Sequence, residues 1–127
     1  MPIAQLDAEE LKHLSPELRL LMLHGSRARA DARADSDWDF AYLADSGLDE
    51  LGLRAALAQT LHTDAVDVVD LARAGAVLRY QTARDGQVIV ERKVGDSDRF
   101  RLAAIRFWLE IEPVLAESHR AVLEQLG

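Results

Sequence analysis

Two aspartates two positions apart, Asp37 and Asp39, flank Trp38 in "SDWDFAYL", and a Gly25-Ser26 pair lies ten residues upstream of them. On an extended strand, residues i and i+2 project to the same face. The two carboxylates then sit close together, and each raises the cost of ionising the other. Such a pair calls for a cation. Gly25 ends the apolar run "LRLLMLH" in a tight turn, and Ser26 adds a hydroxyl beside free backbone N–H groups, a combination suited to a phosphate chain. Carboxylates and phosphates meet through bridging metal, because Mg²⁺ takes one or two carboxylates plus phosphate oxygens and waters. A two-metal phosphoryl or nucleotidyl transfer needs one more ligand where the attacking hydroxyl is held, and "AVDVVDL" supplies candidates. Asp67 and Asp70 have opposite parity on that strand, so only one can share the face of the pair. The Val-Asp-Val alternation favours Asp67 and leaves Asp70 as a strand-end or helix-capping residue.

Each piece has a plainer reading. An isolated Asp-x-Asp triplet is more often a solvated acidic face, and it is the conjunction with the Gly-Ser turn that points to a site. Arg27 and Arg29 are placed to touch phosphate or an acidic partner, although arginines in a short exposed segment are commonly solvated. His24 reads as a strand-end residue, and Trp38 as a core residue rather than a stacking platform for adenine. Phe107 and Trp108 read as the aromatic contact that docks the last helix on the sheet, with a partner surface as the alternative.

The elements that must position these residues follow from pattern. "LDAEELKHL", with Asp7 three positions before Glu10, predicts a short helix over about 8–14, ended by Ser15-Pro16. The run from Leu18 to His24 is short and nearly continuously apolar, as suits a strand buried on both faces. "SRARADARA" is rich in helix formers and predicts a short helix opening at Ser26. "SDWDFAYLA" alternates as a strand, with Trp38, Phe40 and Tyr42 toward the core. A helix over "LDELGLRAALAQTLH", a strand from Ala65, a helix over "AGAVLRYQTAR" and a strand or its approach in "QVIVERK" follow. Phe100, Ala103, Ala104, Phe107, Trp108 and Ile111 recur at helical steps, Pro113 is expected to end or kink that helix, and "VLAESHRAVLEQL" is helical again beyond it. The whole is an α/β (α+β) layer domain with about four strands.

Composition bounds the function. A chain of 127 residues fits one domain, and 49% hydrophobic with 29% charged residues is that of a folded globular protein. A net charge of -7 argues against direct binding of a nucleic-acid backbone. Without cysteine there is no disulfide, thiolate metal site or cysteine nucleophile, which fits a cytoplasmic protein. No signal peptide and no apolar run of membrane-spanning length is evident, so no membrane association is expected.

"GSRARADARADSDWDFAYL" followed by "AVDVVDL" resembles the MNT-type minimal nucleotidyltransferases of the DNA polymerase β-like superfamily, marked by Gly-Ser, ten residues, Asp-x-Asp, and a third Asp on a later strand. The likeness runs from about Leu18 to Val90. It implies a single minimal nucleotidyltransferase domain over residues 1–127, with a core at about 18–91 and C-terminal helices at about 97–126. It implies a nucleotidyltransferase-like mixed sheet flanked by helices. It also implies an antitoxin that uses Mg²⁺ at a two-metal site to transfer AMP from ATP to a tyrosine of a cognate HEPN ribonuclease toxin, with which it forms a hetero-oligomer. In that scheme Asp37, Asp39 and Asp67 are the catalytic and metal-binding residues, and Gly25, Ser26 and Arg27 bind the nucleotide. One departure stands out. Ala30 occupies a position where many relatives carry glycine, acceptable in a helix but not in a loop that needs a positive φ. Two other functions compete: a non-catalytic antitoxin that neutralises its toxin by binding alone, and a nucleotidyltransferase acting on a small molecule.

Overall fold

The computed structural model describes residues 6–33 and 36–126. Along them run α1 (Ala8–Leu14), β1 (Leu18–His24), β2 (Trp38–Ala44), α2 (Glu50–Leu61), β3 (Val66–Asp70), α3 (Ala76–Asp85), β4 (Gln87–Glu91) and α4 (Asp96–Leu126). The strands make one sheet in the order β3-β2-β1-β4. β1 pairs antiparallel with β2 and β4, while β2 pairs parallel with β3. The four strands are those the patterning predicts, and the mixed sheet flanked by helices is the one the resemblance implies.

A central strand covered on both faces needs apolar side chains at every position. In β1, Leu20, Leu21, Met22 and Leu23 are all buried. Leu21 and Leu23 join Trp38, Phe40, Tyr42 and Val66 in a core closed by Leu11 of α1 and by Leu53 and Leu57 of α2. Leu20 and Met22 face the other way, into a core with Ala41, Leu71 and Ala83, closed by Phe100 and Ala104 of α4. The β1–β2 register slips between Leu18 and Leu20. That irregularity turns Leu18 onto the face of Leu21 and Leu23, against the simple alternation of a strand.

α1 begins where the capping pattern places it. The Asp7 carboxylate accepts from the backbone N–H of Glu9 at 3.0 Å and of Glu10 at 3.3 Å, satisfying donors that a helix start leaves open. α2 is held to the sheet by the Tyr42 hydroxyl, which donates to Glu50 at 2.6 Å.

Two expectations are corrected. The helix predicted from Ser26 is absent: residues 26–30 form turns, and Ala30 sits at φ +62, in the left-handed region. Its predicted last residue, Ala34, lies outside the described residues, as do the first five residues of the chain. Local propensity favours a helix here, but tertiary ties override it: Gln87 donates to the Ala28 carbonyl at 2.8 Å, and Arg27 reaches across to the Ser36 carbonyl. Secondly, Pro113 does not end the last helix, which runs unbroken from Asp96 to Leu126. A proline deprives one carbonyl, four residues back, of its partner. Here that carbonyl belongs to Leu109, on an exposed stretch where water can replace the lost donor.

The inner half of α4 packs on α3, with the Tyr80 and Trp108 rings stacked at 5.0 Å. The Arg79 guanidinium lies 5.8 Å from the Phe107 ring centroid. From Glu112 to Leu126 every residue is exposed. That outer half carries Val114, Leu115, Val122, Leu123 and Leu126 into solvent.

Candidate active site

The parallel register of β2 and β3 sets Asp39 directly beside Asp67, with Trp38 beside Val66 and Phe40 beside Val68. Residues paired across neighbouring strands point to the same face, so the two carboxylates share the face of Ala41 and Val69. Asp37 has the same parity and stands one residue before β2. Asp70 falls beside Tyr42 on the opposite parity, and its Oδ1 accepts from the Ala72 N–H at 2.9 Å. It is a turn-capping residue.

On the other flank of β2, the antiparallel register places His24 opposite Asp39. Gly25 follows at φ +74, a left-handed conformation that strongly favours glycine. The glycine is required twice over. A Cβ at this position would lie 2.6 Å from Asp39 Oδ2 and 3.4 Å from Asp39 Cβ and Cγ. The Gly25-Ser26 turn and the Asp39 carboxylate therefore meet at one place, the joint end of β1 and beginning of β2.

Asp39 is half-buried, whereas Asp37 and Asp67 are exposed. Burial pushes the Asp39 carboxyl above its ordinary pKa, His24 pulls it back, and the nearby Asp67 and Asp37 push it up further. Burial is the main cause, and the two neighbouring carboxylates add to it against the opposing pull of His24. His24 moves the opposite way: burial holds its imidazole below the ordinary value, against the pull of Asp39. Its Nε2 is buried with no hydrogen-bond partner among the described residues.

Among the described residues no three acidic, histidine or cysteine groups are gathered tightly enough to cage a cation by themselves. Mg²⁺ does not require such a cage, since it is held by one or two carboxylates with phosphate oxygens and waters completing its shell. Asp37, Asp39 and Asp67 fit that donor set, and their mutual repulsion is what a cation would relieve.

Ser26 is half-buried in the turn, and its carbonyl accepts from the Asp31 N–H at 3.1 Å. Arg27, the third residue expected at the nucleotide, directs Nε and Nη2 to the Ser36 carbonyl at 3.1 and 2.8 Å. Its guanidinium lies 4.0 Å from the Trp38 ring centroid. Trp38 is buried in the core. Arg29 pairs loosely with Asp31 at 3.5 Å in an exposed position. Sequence reasoning did not find the neighbourhood of His24 and Asp39, which depends on an antiparallel register across a long loop, nor the tether from Gln87, 59 positions from its acceptor Ala28.

The chain belongs to the polymerase beta nucleotidyltransferase family, which it matches over residues 8–94, a stretch holding the whole sheet and all three carboxylates. It is similar to the protein adenylyltransferase MntA of Aphanizomenon flos-aquae (strain 2012/KM1/D3), at 29% identity over 126 residues, covering 88% of this chain and 84% of the relative. Similar solved structures include a toxin–antitoxin complex with AMP-PNP, at TM-score 0.75 and 27% identity over 100% of both chains. Another is the complex of a tri-AMPylated Shewanella oneidensis HEPN toxin with an MNT antitoxin, at TM-score 0.70 and 26% identity, again over 100% of both chains.

Proposed function

We propose that this nucleotidyltransferase is the antitoxin of a HEPN toxin–antitoxin pair, and that with Mg²⁺ it transfers AMP from ATP to a tyrosine hydroxyl of its toxin. The observation that carries the reading is the meeting of the Gly25 turn with Asp39 while Asp67 stands beside Asp39 in register. A module that acted only by binding has no need of a glycine turn seated on a carboxylate pair. The similarity to a protein adenylyltransferase and to antitoxins in complex with HEPN toxins supports the choice of nucleotide and acceptor.

In this reading residues 1–127 act as one minimal domain. The triphosphate lies along Gly25 and Ser26, whose hydroxyl and neighbouring N–H groups hold its far end. Asp37 and Asp39 are the metal-holding carboxylates, joined by Asp67. Bound Mg²⁺ supplies positive charge to the phosphate oxygens and to the attacking oxygen. The acceptor oxygen forms a bond to the α-phosphorus, the bond from that phosphorus to the bridging oxygen breaks, and pyrophosphate leaves. Asp67 lies exposed on the edge strand β3, where an incoming side chain has access. It orients the hydroxyl and takes up its proton. No histidine base is needed, because metal and carboxylate together would lower the barrier for the incoming hydroxyl.

A protein acceptor also agrees with the outer half of α4, whose exposed apolar residues are of the kind that mark protein contacts. Among the described residues no helix is long and apolar enough to cross a membrane. On this reading the reaction takes place in the cytoplasm, beside the toxin. Co-expression with the toxin tests the reading. The wild-type chain restores growth, whereas the Asp37→Asn, Asp39→Asn double variant at equal abundance does not. Full protection by the double variant would show neutralisation by binding alone.

A further inference from the structure

The ten residues between Ser26 and Asp37 begin with Arg27 and end with Ser36. These first and last residues are joined: Arg27 Nε and Nη2 both donate to the Ser36 carbonyl, at 3.1 and 2.8 Å. The same guanidinium lies 4.0 Å from the ring centroid of Trp38, a distance for cation–π attraction. Trp38 is the residue between Asp37 and Asp39, and its ring is anchored in the core with Leu23, Phe40 and Val66. Ser36 is fixed from its own side, its Oγ accepting from the Arg33 N–H at 2.8 Å and its N–H donating to the Arg33 carbonyl at 3.1 Å. The described part of the intervening segment has no helix or strand of its own; the β1–β2 ladder holds its ends together only as far as His24 opposite Asp39, and beyond that pairing the base of the loop is held by side chains.

We propose that Arg27 is a positioning residue for nucleotidyl transfer, clamping the neck of the 27–36 loop so that the Gly25-Ser26 turn and the Asp37–Asp39 strand hold a fixed separation. The inference rests on the proposed reading of the site. A fixed count of residues in sequence becomes a fixed distance in space only when the loop is closed at its base, and closing a flexible loop has an entropic cost that grows with its length. A forked donor on a planar cation, stacked on a buried indole, meets that cost in one side chain. Lysine cannot copy it, because an ammonium is a point charge without the fork or the flat face. Arg27 acts through Trp38 and Ser36, and its consequence is felt where the α-phosphorus must line up with the carboxylates.

The test uses the full chain with its HEPN toxin, ATP and Mg²⁺, and the variants Arg27→Lys, Arg27→Gln and Trp38→Phe. Transfer rates and amide hydrogen exchange are followed in parallel. With Arg27→Lys and Arg27→Gln, kcat falls by about ten- to a hundredfold, the loss expected of a small misplacement of reacting groups. KM for ATP stays within about threefold, and exchange quickens at residues 28–37 alone. Trp38→Phe gives a smaller loss in the same direction, and combining it with Arg27→Gln costs less than the sum, as expected of two residues in one contact. Activity retained in Arg27→Lys, or a rise in KM with kcat unchanged, would mean a charge contact with phosphate and would overturn the proposal. So would unchanged exchange in the loop. If the wild-type chain transfers nothing, the reading of the site fails, and unaltered or quickened exchange still decides whether Arg27 clamps the loop.

Discussion

At Gly25, backbone conformation and carboxylate packing converge on one residue. A Gly25→Ala variant faces a left-handed φ, costing about 1–2 kcal/mol, and a methyl 2.6 Å from Asp39 Oδ2. A carboxylate tip turns more readily than the backbone of a central strand moves, so Asp39 yields. Transfer is therefore expected to fall by about a hundredfold or more while the melting temperature drops by only a few degrees; a variant of normal activity would show that the contact is not needed. Ala30 is the converse case. It holds φ +62 without the freedom of glycine, so Ala30→Gly removes strain and is expected to stabilise the chain by about 1 kcal/mol, measured by urea denaturation. A destabilised variant would mean that the unfolded chain's added freedom outweighs the strain. The shared parity of Asp37 and Asp39 was readable from strand periodicity, whereas the match of Asp39 with Asp67 depends on the parallel register of β2 and β3. Nor was the orientation of Arg27 readable, since it depends on a carbonyl nine positions away.

At the scale of elements, legibility follows how local the determinants are. α1 was readable to its limits because its cap, Asp7, lies within three residues of the Glu9 and Glu10 N–H groups that donate to it. The strands were readable from alternation and apolar runs, though not the slip that turns Leu18. The segment after Ser26 was misread because its composition favours a helix while Gln87 and Ser36, distant in sequence, hold it as a loop. The start of α4 offers a pH test. The Asp96 carboxylate accepts from Arg99 Nη2 at 2.6 Å and from Arg19 Nη2 at 3.5 Å. The Arg99 hydrogen bond, with Arg19, holds Asp96 below the ordinary aspartate value of 3.8. A carboxylate whose folded pKa lies below its unfolded one adds stability above the unfolded value and loses it as pH falls through the folded one. Asp96→Asn is thus expected to cost roughly 1 kcal/mol at neutral pH. The gap from wild type should close as the pH drops below 3.8 in thermal melts. A gap that persists in acid would assign the effect to packing.

For the whole molecule, the division of α4 is informative. Its inner half completes a core, and its outer half, from Glu112 on, is exposed along its length. Leu115 and Val122, seven residues apart, lie on the same face of the helix. Leu115→Glu with Val122→Glu is expected to leave the melting temperature within about two degrees, as surface changes do, and to weaken association with the HEPN toxin at least tenfold in calorimetry. Unchanged affinity would place the partner elsewhere. The most direct measurement of the account is the intact mass of that toxin after incubation with this chain, ATP and Mg²⁺, beside the Asp37→Asn, Asp39→Asn variant. Added mass in whole AMP units is expected with the wild type and none with the variant. Tight association with no added mass would contradict it and leave a chain that neutralises by binding alone.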